Sequence, residues 1–415
     1  MATFIAQMKG LSVFSQRSFT AFLCARFFLT FGVQVQALTL SLQVYNLDKS
    51  AFSLGLIGLA EALPFMVFIL PAGYWADIFK RKTLILISVA LFILCSLLLF
   101  FLSFFEHNVS LTTLYALVAL TGVARATGGP SMQAVVPQLV SRKELPEAIA
   151  WNTSFWQIAS ITGPAMGGLI YAYWGLTPGY LCTLVCSASA FILMLLLPSV
   201  HATHVIKGGI LANLKEGIHF VRSKPVVLSA LGLDLFAVLF GGAVALLPLF
   251  NDQVLNAGPE GLGWLRAAPS LGAVVTASWL ARKPPLKNTG RILLVAVACF
   301  GLCMMGFAVS RIYVLSFFLL LLSGGFDAVS VLIRSMIVQL LTPDNMRGRV
   351  SSVNSVFIGS SNEIGAFESG LAARIMGLVP SVLFGSSMTL IITGLMAWKA
   401  KSLRKLELQK YASGS

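Results

Sequence analysis

The sequence predicts an all-α membrane protein, about twelve transmembrane helices in two pseudo-symmetric six-helix bundles. Three observations carry this: the composition, the spacing of the apolar runs and the placement of the cations. Of the 415 residues, 57% are hydrophobic and 11% charged, and the mean hydropathy is +0.87. A soluble domain keeps about a quarter of its residues charged because its surface faces water. A chain this apolar needs lipid instead.

Each bilayer crossing takes about 20 apolar residues, and runs of that length follow one another with short polar interruptions. Spans are expected at 18–43, 52–76, 84–105, 110–136, 148–172, 177–198, 225–250, 260–281, 291–310, 312–340, 350–373 and 379–399. The first run is too long for the apolar part of a signal peptide and is read as a retained helix. The longest polar stretch, Ser199 to Lys224, falls between the sixth and seventh spans. The expected domains are therefore a bundle over 1–198, a linker over 199–224 and a second bundle with a tail over 225–415. Inside the linker, Leu211 to Val221 spaces its apolar residues as a short amphipathic helix lying on the membrane surface. No length remains for a soluble catalytic domain.

A formal net charge of +14 would suggest nucleic acid in a soluble protein. Here the cations alternate with the spans. If successive helices run in opposite directions, Lys9, Arg17, Lys80 to Lys82, Arg142, Lys143, the linker cations, Arg282, Lys283, Lys287, Arg291, Arg347, Arg349 and the basic tail share one side. The other side holds little beyond Lys49 and Arg311. The positive-inside rule then puts both termini and the linker in the cytoplasm, which requires an even number of spans. The bilayer, not nucleic acid, is the expected large partner, and the chain is expected to be a monomer.

Enzyme classes lack their residues. There is no phosphate-binding Gly-Lys-Ser/Thr loop, no Gly-x-Ser-x-Gly, no His-Glu-x-x-His, and the four histidines lie in or near loops. The six cysteines fall inside spans; the pairs 182/186 and 299/303 are one helical turn apart without an accompanying His or carboxylate, and are read as small buried hydrophobes, with no metal or cofactor.

An internal repeat relates the two halves at an offset of roughly 200 residues. Ser131-Met132 corresponds to Ser335-Met336, Asn152 to Asn354, Gly163 to Gly365 and Gly168 to Gly370. Parallel six-helix repeats of this kind place a solute site near mid-membrane, between the halves.

Ionisable residues within apolar spans are expensive and mark function by default. Arg125, Glu61, Asp234, Asp327, Glu363 and Glu368 are such residues. A carboxylate whose exposure to water alternates can take up and release a proton. The other reading of each acid is a fixed pair with Arg26, Arg266, Arg334 or, for Glu61, Arg125. Gln34, Gln36, Gln157, Asn354 and Asn362, with Phe155, supply hydrogen-bonding and aromatic groups suited to an amphipathic solute. As interhelical ties, such polar groups are each worth about 0.6–2 kcal/mol.

Two motifs connect these observations. Gly73-Tyr-Trp-Ala-Asp77, followed by Lys80-Arg81-Lys82, resembles the loop motif of the major facilitator superfamily, although Ile78 and Lys80 depart from it. Arg125 matches that superfamily's arginine motif. Gly163-Pro164-x-x-Gly167-Gly168 resembles part of the drug–proton antiporter signature; the upstream glycines are replaced around Ile158 and Ser160. Arg347-Gly-Arg349 adds a likeness to the bacterial drug and siderophore exporters. This resemblance implies a proton-coupled exporter of a small amphipathic solute in the bacterial inner membrane, working by alternating access. It also implies a conformational latch at Gly73, Asp77, Arg81 and Lys82, and a helix bend at Gly163, Pro164, Gly167 and Gly168. An importer or facilitator on the same fold, or a non-transporting receptor or assembly factor, remains open.

Overall fold

The computed structural model describes residues 12–105, 109–141, 144–198, 210–280 and 285–409. Among them there is no strand. The helices are α1 (Arg17–Asp48), α2 (Ala51–Ile78), α3 (Arg81–Phe105), α4 (Leu111–Leu139), α5 (Leu145–Trp174), α6 (Leu176–Leu195), α7 (Ile210–Ser223), α8 (Pro225–Phe240), α9 (Leu247–Gln253), α10 (Pro259–Leu280), α11 (Thr289–Val309), α12 (Tyr313–Leu341), α13 (Asp344–Met376), α14 (Leu378–Lys399) and the short α15 (Lys401–Arg404).

Among the described residues, eight segments are long and apolar enough to cross a bilayer. They are α1, the first part of α2, α3, α6, α8 with α9, α11, α12 and α14. The long helices α4, α5, α10 and α13 stand where the remaining spans are expected, and carry internal glycines, prolines or polar residues that lower their hydropathy. The seventh expected span differs from the reading of an unbroken helix. α8 stops at Phe240, a 3-10 turn covers Gly242–Leu246, and α9 resumes at Leu247. Gly241 lies at the break, where an added Cβ would meet the Ala237 carbonyl at 2.5 Å and the Phe300 ring at 2.8 Å. Pro248 opens α9, where a missing N–H does no harm.

The chain divides into two compact units, Met1–Val44 with Ala60–Lys207, and Tyr45–Leu59 with Gly208–Ser415. In the first, α3 packs against α4 and α6. Its core includes Phe19, Phe22, Ile85, Val89, Ala124, Val135, Ala190 and Met194. Polar ties cross this core: Tyr180 donates to Gln43 Oε1 at 2.5 Å, and Lys82 Nζ donates to the carbonyls of Leu195 and Leu197 at 2.8 and 2.6 Å. The lysine thus satisfies carbonyls that the end of α6 leaves open.

In the second unit, α11 packs against α12 and α14, the relation that α3 has to α4 and α6. Glycines repeat the correspondence. Gly122 of α4 lies on the Glu61 carbonyl of α2, and Gly324 of α12 lies on the Pro269 carbonyl of α10. A Cβ at Gly163 of α5 would meet the Phe31 carbonyl of α1 at 3.1 Å; one at Gly365 of α13 would meet the Val238 and Leu239 carbonyls of α8 at 2.9 Å. Small residues allow backbones to approach this closely without a water-driven hydrophobic force.

The expected surface helix is present as α7, but it is docked. Val221 is buried, and Ile218 and Phe220 pack partly against the second unit's core. Segment 45–59 also belongs to this unit. Gly55 crosses Gly370 so closely that a Cβ on Gly55 would meet Cα of Gly370 at 2.9 Å. Tyr45 donates to Asp252 Oδ2 at 2.6 Å, with Lys49 Nζ 4.0 Å from the same oxygen.

Candidate functional site

In the first unit the site is built around Arg125. Gly122 is one turn earlier on the same helix face, and its lack of a side chain brings α4 onto the backbone of α2 at Glu61. The guanidinium of Arg125 then donates directly to Glu61 Oε1. It also lies 5.4 Å from the centre of the Phe65 ring, where the face of an aromatic favours a cation. The pair is not sealed: the side chains of Arg125 and Glu61 are 36% and 20% exposed. The acid is thus partly accessible and has its own counter-ion.

In the second unit Asp234 of α8 is paired with Arg334 of α12, and both side chains are buried. A small cavity adjoins them, lined by Asp234, Ala237 and Val238 of α8, Val297 and Phe300 of α11, and Phe326, Asp327 and Ser330 of α12. Asp327, Ser330 and Arg334 recur at helical spacing, so they share one face of α12. The cluster holds two carboxylates against one guanidinium. Arg334 had been legible only as one of several partners for an interior acid; Ser330 had no distinguishing signal in the sequence.

The other anticipated residues are distributed differently. Gln36 does not line an accessible cavity: it is 6% exposed, its amide nitrogen contacts the Cys95 sulfur at 3.5 Å, and Ser96 donates to its oxygen at 3.0 Å. A buried amide must find partners, and these two residues on α3 supply them. Phe155 packs in the first unit, its ring 6.3 Å from both Phe27 and Trp151. Gln34 flanks the Gly163 crossing, and Gln157 is half-buried. Asn362 is exposed and Glu363 half-buried. The Glu363 backbone carbonyl lies 2.7 Å from a Cβ built on Gly58. Glu368 is half-buried beside Ser369. The Asn354 side chain lies outside the described residues.

Of the expected latch, the Asp77 side chain likewise lies outside the described residues. A Cβ on Gly73 would meet nothing within 4 Å, so no described helix lies close against Gly73. Arg81 donates to the Ala134 carbonyl at 2.9 Å, and Lys82 is taken up by the end of α6. Both cations tie helix ends within their own bundle. In the α5 motif, Gly163 and Gly167 lie against α1, the latter with a Cβ 3.3 Å from Cα of Val35; Pro164 and Gly168 are buried, and α5 continues through the proline. No group of three or more metal-ligating side chains occurs among the described residues.

Long apolar helices, two repeated units and buried ionisable clusters define a polytopic membrane transporter. Residues 8–414 match the model of a family described as transmembrane secretion effector, and the chain belongs to that family, within the major facilitator superfamily. It is similar to the enterobactin exporter EntS of Escherichia coli O6:K15:H31 (strain 536 / UPEC), 24% identical over 407 residues covering 96% of each chain. EntS of Citrobacter koseri is 25% identical over 386 residues, 91% of this chain and 90% of the relative. Among solved structures, a POT family transporter superposes with a TM-score of 0.76 at 11% identity, covering 93% of this chain and 96% of that one. A D-xylose–proton symporter gives 0.73 at 12% identity, covering 92% and 97%. These likenesses establish the major facilitator fold.

Proposed function

We propose that the chain is a proton-coupled exporter of a small amphipathic solute, of the drug-like or siderophore kind, acting by alternating access in a bacterial inner membrane. The Glu61–Arg125 pair is the observation that carries the coupling. While Glu61 is ionised it neutralises Arg125 within the span; on accepting a proton it leaves the guanidinium without its counter-ion, which costs a few kcal/mol at that depth. Protonation therefore shifts the balance between states in which the pair is closed and states in which Arg125 reaches water or solute. Asp327, at the cavity beside Asp234 and Arg334, is the second coupling carboxylate, and Glu363 and Glu368 are held in reserve on α13. Gln34, Gln157 and Asn362 are the polar groups offered to solute.

The direction of transport rests on similarity to enterobactin exporters and on the Gly163 to Gly168 string. Both termini are assigned to the cytoplasm, the working form to a monomer, and the halves to 1–198 and 225–415 joined by 199–224. The test is transport into inverted membrane vesicles with an imposed pH gradient, using enterobactin and a panel of amphipathic dyes. Accumulation driven by the gradient and abolished in Glu61→Gln supports the reading. Uptake confined to right-side-out cells would favour an importer, and gradient-independent movement would sink proton coupling.

A further inference from the structure

The segment 401–409, which follows the last helix of the second unit, is packed back on that unit. Leu403, Leu406 and Leu408 are each 5% exposed or less and enter the same core as Val221 of α7. Their backbone is tied to the start of α11: Gly290 N–H donates to the Leu406 carbonyl at 3.2 Å, Gln409 N–H to the Leu286 carbonyl at 3.1 Å, and Leu408 N–H to Thr289 Oγ1 at 3.3 Å. Gly290 has no side chain where the Leu403 carbonyl rests. Two amphipathic elements, α7 and the segment 401–409, are packed on one end of the second unit with Val221 of the first and Leu403, Leu406 and Leu408 of the second inward.

Most of their outward charged positions are basic, with Glu216 of α7 the exposed exception. Lys215 and Arg222 on α7, Lys287 and Arg291 at the start of α11, and Lys401 and Lys405 on the tail are all exposed. None of the six forms an ion pair with another described residue. The positive-inside rule needs cations only near a span end and asks for no fixed structure. Here the cations are carried on folded elements that place Val221, Leu403, Leu406 and Leu408 in the core of the unit. What is left is a surface on which six exposed cations outnumber Glu216 and Glu407, beside the first turns of α8 and α11.

We infer that α7, the start of α11 and the segment 401–409 form a docking platform for the phosphate headgroups of anionic phospholipid. Phosphates attract lysine and arginine at short range and weaken with salt. A polybasic surface next to a span is the arrangement that recruits acidic lipid.

The full-length protein, reconstituted in nanodiscs of phosphatidylcholine containing phosphatidylglycerol, is extracted gently and its retained lipids counted by native mass spectrometry. Wild type should retain phosphatidylglycerol over phosphatidylcholine. The quadruple variant Lys215→Gln, Arg222→Gln, Lys401→Gln, Lys405→Gln should lose that preference, on the order of fivefold per cation removed, and the control Arg311→Gln should keep it. Equal retention by the quadruple variant overturns the proposal, as does equal retention of the two lipids by wild type. Should the quadruple variant not fold, the wild type decides alone. Raising ionic strength must release phosphatidylglycerol, and inorganic phosphate at the same concentration must not match the lipid in raising the melting temperature. A salt-independent preference, or equal stabilisation by phosphate, overturns it.

Discussion

Arg334 and Asp234 are ion-paired across α12 and α8 with side chains only 4% and 7% exposed. Removing one partner leaves the other charged and buried, which costs about 3–5 kcal/mol, whereas removing both leaves no unpaired charge. Arg334→Met and Asp234→Asn are each expected to lower the thermal midpoint in detergent strongly. The double variant should recover much of the loss. If the double variant is as unstable as the singles summed, the pair is not the stabilising unit described here.

The glycine correspondence makes a symmetrical prediction. Gly163→Val and Gly365→Val each insert a side chain into a backbone crossing, and overpacking of that kind costs about 1–3 kcal/mol. Gly73→Ala, in open space, should change stability by about 0.5 kcal/mol or less. Thermal unfolding of the three variants side by side checks the ranking.

Tyr45→Phe deletes the hydroxyl that reaches Asp252. Because Asp252 is more than half exposed, the loss in stability should be about 1 kcal/mol or less. The clearer effect is local: a cysteine placed at Asn46 should react faster with a membrane-impermeant maleimide once the hydroxyl is gone. Unchanged labelling would count against a tie at this position.

Leu403→Ala removes a fully buried tail side chain, at a cost of about 2–5 kcal/mol. Protease nicking of the C-terminal segment should accelerate before any other site becomes sensitive. Simultaneous loss of the whole protein would mean that the tail does not open separately.

Much of this architecture is readable from the sequence because lipid imposes strong rules on it. Span lengths, the polar stretch before Pro225, and the glycines at matching offsets all follow from the need to bury backbone and approach closely. The pairing of Arg125 with Glu61 was one of the two alternatives the residues allowed, and the fold realises it. The break at Gly241 was not legible, since an apolar run in lipid has no polar face whose periodicity would stop there. The role of Gln36 was not legible for a related reason: along α1, an amide tying α1 to α3 and an amide facing a solute have the same neighbours in sequence. Which face meets which helix is decided only by packing.

The 3-10 knuckle between α8 and α9 has a mechanical consequence. α1 is a single rod from Arg17 to Asp48, so a torque at one end is delivered to the other. The span containing Asp234 is two rods on a joint, with the Asp234–Arg334 pair fastened to the inner rod and Asp252 carried by the outer one. The joint itself is packed: the Phe300 ring lies where a Gly241 side chain would stand, and α13 lies against the 3-10 turn. A displacement at Asp252 therefore has no unbroken α-helical ladder to carry it to the buried charges.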